Sequence, residues 1–340
     1  MKSIKCTIFS LLCVLAASCL PISDSREITD ADLHPPQLLS FAVTGKKSVA
    51  LEFNKPASVI EGSLRIVPRI PVASAESAEN SVTVTFAEGQ QLGTEYVLEL
   101  SVEDKRGNSM DILVPFYGYN PEIPDICINE FTTQGSGNHP DMVELYAFSD
   151  GNTAGLTLYE GTKTNWEDKL VLPPLEIRAG SYILVHFKPE GIPEEVDEVD
   201  SPAESGGLDA SPDAYDFWVP SGSGLSGNNG VIALYTSPQG KLIDGVLYSN
   251  RTSASDEKYR GFGMRKVMER ADELVEEGGW KYTGEQVAPE DAIDPEDSTA
   301  TRSMCRSSKS TDSDTSSDWH IVPTSTYSFG TVNSDDVYVP

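Results

Sequence analysis

Apolar and polar residues alternate one for one in short runs that end in turn formers, and nothing else in this chain limits its folding choices as much. "SVALEF" sets Val49, Leu51 and Phe53 on one side of an extended backbone. "SVTVTF" does the same with Val82, Val84 and Phe86, and "YVLELSV" with Tyr96, Leu98, Leu100 and Val102. Successive side chains of a strand point to opposite faces, so each run buries one face and wets the other. Asn54-Lys55-Pro56 and Arg106-Gly107-Asn108 separate the runs. Short alternating strands with frequent turns predict a β-sandwich.

"GYNPEIPD", residues 118–125, holds two prolines. Proline restricts itself and its predecessor to extended shapes, so a domain boundary is placed here. Beyond it the β pattern resumes in "ICINEF", "MVELYAF", "LTLYEG", "YILVHF", "GVIALYTS" and "DGVLYS". Two stretches interrupt it. Residues 189–216 carry ten acids and no Lys or Arg, which predicts a solvated loop. Residues 256–300 form a second insertion. It contains a helical period over 264–275, where Met264, Val267, Met268, Ala271, Leu274 and Val275 share a face before Gly278-Gly279 stops it. The acidic, Ser/Thr-rich stretch 285–309 is expected to be mobile for most of its length. The fold class expected is all-β: two β-sandwich, immunoglobulin-like domains in tandem, with one short amphipathic helix inserted in the second.

The N-terminus points to export. Lys2 and Lys5 precede an apolar run, residues 8–17, too short for the ~20 residues that span a bilayer. "LAASC" then places small residues before Cys19. This resembles a bacterial lipoprotein signal, which implies that residues 1–18 are removed, Cys19 is lipidated and 19–34 form a tether. The expected location is the membrane, facing the periplasm or the cell exterior. With 53 Asp+Glu against 25 Lys+Arg, the net charge of −28 disfavours nucleic acid and anionic headgroups as partners. Attachment to the membrane is therefore assigned to the lipid.

Two further resemblances follow from the residues. "LEFNKPA" and "GTEYVLELSVEDKRGN" resemble a bacterial Ig-like domain of the surface-layer type, over 35–118. From residue 124 to 334, "INEF", "DMVELYAFSDG", "GLTLYEG", "LPPLEIRAGSYILV", "GLSGNNGVIALYTSPQGKLIDGVLYS" and "DTSSDWHIVPTSTYSFGTVN" occur in order. This resembles the lamin tail domain in its bacterial secreted form, and implies a compact immunoglobulin-like sandwich.

The polar residues inside apolar runs pose the functional question. Asn129 and Glu130 interrupt one run, Asp141 precedes the next and Glu144 sits between Val143 and Leu145. A catalytic pair, a metal site and architecture all fit such placements. The structural reading is preferred: Asn129 and Glu130 bond backbone groups where strands turn a corner, and Glu144 points towards solvent or a polar rim. No cofactor is expected. Calcium is the alternative, on Glu130, Asp141 and Glu144 or equally on loop acids such as Asp150 or the run Glu194 to Asp200, since hard cations take several oxygen ligands, although no EF-hand spacing occurs. His34, His139, His186 and His320 lack helical i, i+4 company and zinc spacing. Cys127 and Cys305 are expected as small buried groups, although a disulfide is permitted in an exported protein.

The function expected is therefore a non-enzymatic structural or binding (adhesion) module with a protein or glycan ligand. One rival is a metal-dependent hydrolase or nuclease, or an accessory part of one, built from Glu130, Asp141, Glu144 and His139. Another is a carbohydrate-binding module whose stacking surface is Tyr215, Phe217 and Trp218, although a plug at the sandwich edge is the preferred reading of that cluster.

Overall fold

The computed structural model describes residues 32–340. The signal, Cys19 and most of the tether lie outside the described residues.

The alternating runs form the first unit. Strands β1 (Leu38–Gly45), β2 (Ser48–Phe53), β5 (Val72–Ala78) and β6 (Ser81–Phe86) make an antiparallel sheet in the order β1-β2-β6-β5. Against it lies a second antiparallel sheet. Here β7 (Glu95–Glu103) pairs with β8 (Ser109–Tyr117) and with the short β3 (Ser58–Val59) and β4 (Arg65–Val67). Val49, Leu51, Phe53, Val82, Val84 and Phe86 meet Leu98, Leu100, Val102, Ile112, Val114 and Phe116 in one core. Every residue the period assigned inward is buried.

The second unit is a larger all-β sandwich with its own core. One sheet has six strands, ordered β16-β15-β10-β9-β19-β20: β9 (Ile126–Thr132), β10 (Met142–Ala147), β15 (Tyr182–His186), β16 (Tyr215–Trp218), β19 (Met304–Arg306) and β20 (Trp319–Ile321). All neighbours are antiparallel except β15 and β16. The facing sheet runs β13-β12-β17-β18, from β12 (Thr157–Gly161), β13 (Trp166–Val171), β17 (Asn229–Tyr235) and β18 (Leu242–Ser249). A two-residue pair, β11 (Gly151–Asn152) with β14 (Glu176–Ile177), closes one end.

The expected helix is α1 (Arg265–Glu276). Val267, Ala271 and Leu274 are buried, and Leu274 fills the space left by Gly245, where a Cβ would lie 2.3 Å from its Cδ1. Met264 is a correction: it stands outside the first turn and is exposed.

The segment expected to be mobile and the one expected as a solvated loop are both built into the fold. In 285–309, Val287, Ala292 and Ile293 are buried, the Ile293 amide bonds Leu247 O at 3.0 Å, and Met304–Arg306 is a strand inside the six-stranded sheet. The acidic insertion 189–216 is built around Glu198, which is fully buried. Its carboxylate accepts the amides of Glu204 and Ser205, both at 2.7 Å, and of Asp216 at 2.8 Å. One carboxylate thus supplies the acceptors that a turn-rich segment lacks.

Candidate functional site

The register of β9 against β10 explains why Asn129 and Glu130 interrupt an apolar run. Glu144 pairs with Glu130 but Leu145 pairs with Ile128, so Asn129 is the extra residue of a β-bulge. The bulge lets Ile128 and Phe131 both enter the core while Asn129 and Glu130 both leave it. Register carries the outer row further, from Glu144 to Glu130, Cys305 and His320 across four strands.

This outer row is not wet. Glu130 and Glu144 are both 0% exposed, so of the two settings expected for Glu144, solvent or a polar rim, solvent is excluded. The C-terminal segment, residues 323–334, lies over them. Ser328 donates its amide to Glu130 Oε1 at 3.0 Å and its hydroxyl to Oε2 at 2.7 Å, and the Ser303 hydroxyl also donates to Oε1. Glu144 accepts the Gly330 amide and, at 2.7 Å, Asn129 Nδ2. Asn333 locks the end of the segment. Its Nδ2 donates to Asn129 O at 3.1 Å and Arg306 O at 3.0 Å, while its Oδ1 accepts Asn129 Nδ2 at 2.9 Å.

Burial pushes both carboxyls up from the usual carboxylate range, Glu144 further because it also feels the Glu130 charge. The hydrogen bonds from Ser303, Ser328, Gly330 and Asn129 oppose that rise. The Cys305 thiol, 3.6 Å from His320 Nε2, is raised by burial and then by the same two carboxylates. That is the reverse of what activates a nucleophilic sulfur. Cys127 and Cys305 are buried free thiols.

Asp141 does not join the pair. Its Oδ1 accepts the Gly135 amide at 2.6 Å and its Oδ2 the Leu225 amide at 2.9 Å, so it pins two loops together. His139 bonds Asp209 of the acidic insertion, Nδ1 to Oδ1 at 2.9 Å. The proposed calcium ligands are therefore not gathered into one shell. Among the described residues, the carboxylates that do gather are Asp244, Asp312 and Asp314.

Arg306 supplies the cation there, and sequence reasoning missed it. The side chain is fully buried, with Nε 2.7 Å from Ile128 O, Nη2 3.2 Å from Asp244 and Nη1 2.9 Å from Asp312. Its guanidinium also stacks over Trp319, 4.6 Å from the ring centre. The only signal was the apolar pair Met304-Cys305 beside it, inside a stretch too polar to suggest a strand.

Of the two expectations for Tyr215, Phe217 and Trp218, an edge plug and a stacking surface, burial of Phe217 and Trp218 excludes the second. Phe217 and Trp218 are buried, and the Trp218 ring stacks on His186 with centres 3.9 Å apart. The Trp218 indole donates to Ser205 Oγ at 2.9 Å, and His186 Nε2 lies 2.7 Å from Asp216 Oδ1. The acidic insertion folds back over this strand, so the aromatics plug the sheet edge instead of facing a ligand.

These features define an all-β protein of two sandwiches, the second sealing carboxylates within a sheet covered on both faces. The sequence model of the TP_1001_2nd family, described as "protein second domain", matches residues 124–321, and the chain belongs to that family. Over 225 residues it is 28% identical to a protein of Treponema pallidum (strain Nichols) that carries the name "Uncharacterized protein". That match takes in 64% of this chain and 56% of the relative, so the chain spans little more than half of the relative's length. Among solved structures, the crystal structure of dimeric latent PorU from Porphyromonas gingivalis is similar over 62% of this chain and 19% of that one. With 13% identity and a TM-score of 0.20, that similarity carries no argument.

Proposed function

We propose that the chain is an exported lipoprotein, anchored through Cys19, whose Ig-like and lamin-tail-type sandwiches act as a non-enzymatic structural or binding module of the cell envelope. The observation that supports this reading most is the full burial of Glu130 and Glu144 with both oxygens of each in hydrogen bonds. Each accepts hydrogen bonds from the chain's own donors under the C-terminal segment. A general base or metal ligand needs a free lone pair facing substrate, and here the lone pairs face Ser328, Gly330 and Asn129. The lipid half of the proposal rests on the sequence of residues 1–19 alone.

The test has two arms. Mass spectrometry of the natively processed N-terminus should find acyl chains on Cys19, and an unmodified N-terminus at another position removes the anchor. Assays for metal-dependent nuclease and esterase turnover should give background rates. Turnover that disappears in Glu144→Ala, with the melting midpoint held, would install the hydrolase instead.

A further inference from the structure

The cleft between the two sandwiches is used by neither the sealed row nor the plugged edge. It measures about 1320 Å³, larger than the ~300–1,000 Å³ of small-molecule pockets, and suits an extended ligand. Its walls are fixed by contacts of the linker and of the first unit with the second. Asn120 Nδ2, buried, donates to Asn152 O at 2.7 Å and Ala154 O at 3.1 Å, and a Cβ on Gly93 would lie 2.4 Å from Pro174.

The cleft gathers exposed apolar side chains and cations. Tyr119 (37%), Ile123 (38%) and Trp166 (42%) all line it and all remain open to solvent. Lys163, Lys169 and Lys241 also line it, in a chain of net charge −28. Lys163 is paired with Glu277. Lys169 and Lys241 have no carboxylate partner among the described residues, while Glu95 lies on the opposite wall. The Lys169 ammonium stands 4.6 Å from the centre of the Trp166 ring and 6.0 Å from that of Tyr159. Ring faces attract cations but leave most of the charge uncompensated.

We propose that this cleft binds an acidic polysaccharide, with a sugar ring against the exposed part of Trp166 and the chain's carboxylates on Lys169 and Lys241. The inference rests on the reading of the chain as a binding module and names its ligand class. A uronate carries an apolar C–H face and a carboxylate on one rigid ring, and so can meet at once the exposed part of the Trp166 indole and the Lys169 ammonium that stands over it. An acidic peptide would satisfy the lysines and leave the exposed part of the indole without an apolar partner. The cations also oppose the general repulsion that an acidic surface exerts on a polyanion.

Calorimetric titration of the purified full chain with hexagalacturonate, maltohexaose and hexaglutamate tests this. Hexagalacturonate should bind, more weakly at higher salt. Maltohexaose and hexaglutamate should bind at least about tenfold more weakly. Lys169→Gln should weaken hexagalacturonate about tenfold and Trp166→Ala at least as much, at unchanged melting midpoints. No heat with hexagalacturonate at millimolar concentration overturns the proposal. So does equal binding of hexaglutamate that Trp166→Ala leaves intact, which would make the cleft a peptide site. Chromatography of the recovered sugar separates two failures: shortened chains sink the non-enzymatic reading, whereas intact, unbound chains sink only the ligand assignment.

Discussion

Strands β6 and β9 have similar lengths and opposite burial. In β6, Val82, Val84 and Phe86 are buried while Thr83 is exposed and Ser81 and Thr85 are half-buried. In β9 all seven residues are buried, Asn129 and Glu130 included. The first sandwich has one wet outer face, so its sequence declares which side faces in. The six-stranded sheet of the second is covered on both faces, and its outer cover comes from far along the chain: Ser328 reaches Glu130 across 198 positions. A sheet of that kind carries polar residues inward wherever the cover supplies donors, so its strands need not alternate. The two units should accordingly respond differently to the loss of single polar groups. All four tryptophans, Trp166, Trp218, Trp280 and Trp319, lie in the second unit, so their fluorescence reads that unit alone.

The largest expected effect is at Arg306. Removing it leaves Asp244, fully buried and 3.2 Å from Nη2, without a counter-charge, and takes a donor from Ile128 O. Breaking a buried pair from one side costs about 3–5 kcal/mol. Arg306→Ala should lower the tryptophan-detected urea stability by that much. A loss nearer the ~0–1 kcal/mol of a surface ion pair would mean the second unit is no better sealed than the first.

Acidity should move the units in opposite directions. In the second, burial pushes Glu160 up from 4.5 to about 7, and raises Glu130 and Glu144 as well. A carboxyl raised on folding favours the folded state below its unfolded value, and that contribution is lost as pH rises through the raised one. For Glu160 the shift corresponds to roughly 3 kcal/mol at most. In the first unit, the bond from Lys55 holds Asp32 down to about 2, and the Asn108 side chain, with other donors, lowers Asp104. Their contribution is present above the ordinary value of 3.8 and is lost as pH falls. Between pH 7 and 4.5 the tryptophan-detected midpoint should therefore rise, with a slope that flattens in Glu160→Gln. Far-UV circular dichroism should show the first unit weakening only below about pH 4. Parallel slopes in both units would break the comparison.

Asn333→Ala tests the cover itself. It removes the donor shared by Asn129 O and Arg306 O and the acceptor of Asn129 Nδ2, all buried. Leaving such groups unpaired costs about 1–3 kcal/mol. Amide exchange should speed up across residues 323–334 before it does in β10. Unchanged protection there would mean that Glu130 and Glu144 hold the segment without the asparagine.

How much of this could be read in the sequence follows from the same contrast. Val82, Val84 and Phe86 were legible because one-sided burial writes a period of two. The helix was legible at Val267, Ala271 and Leu274 because a helix on a sheet writes its own period. Asn129, Glu130 and Glu144 stood out as polar residues in apolar runs, and a bonding role was read for Asn129 and Glu130 but not for Glu144, whose buried setting was not legible. That depends on a bulge, which no spacing announces, and on a cover supplied by Ser328, Gly330 and Asn333. Arg306 was illegible for a related reason. Its partners Asp244 and Asp312 are brought together only by the closed sandwich, and its own strand is three residues long. The aromatics of β16 left a stacking surface open beside the plug because an acidic insertion reads as a solvated loop unless one carboxylate, here Glu198, is known to organise it.

The smallest effect is the one that makes the comparison strict. Glu52 lies on β2, a central strand, with Ser40 and Ser81 opposite it, and its neighbours Leu51 and Phe53 are buried. It thus repeats the setting of Glu144, an acid flanked by two core residues in a central strand, but its side chain is exposed. Glu52→Ala removes no donor's partner and opens no cavity, so the change should stay within about 0.5 kcal/mol by circular dichroism-detected urea unfolding. A cost above about 1 kcal/mol would mean that the outer face of the first sheet is also covered. The alternation of β2 and β6 would then no longer mark a wet surface.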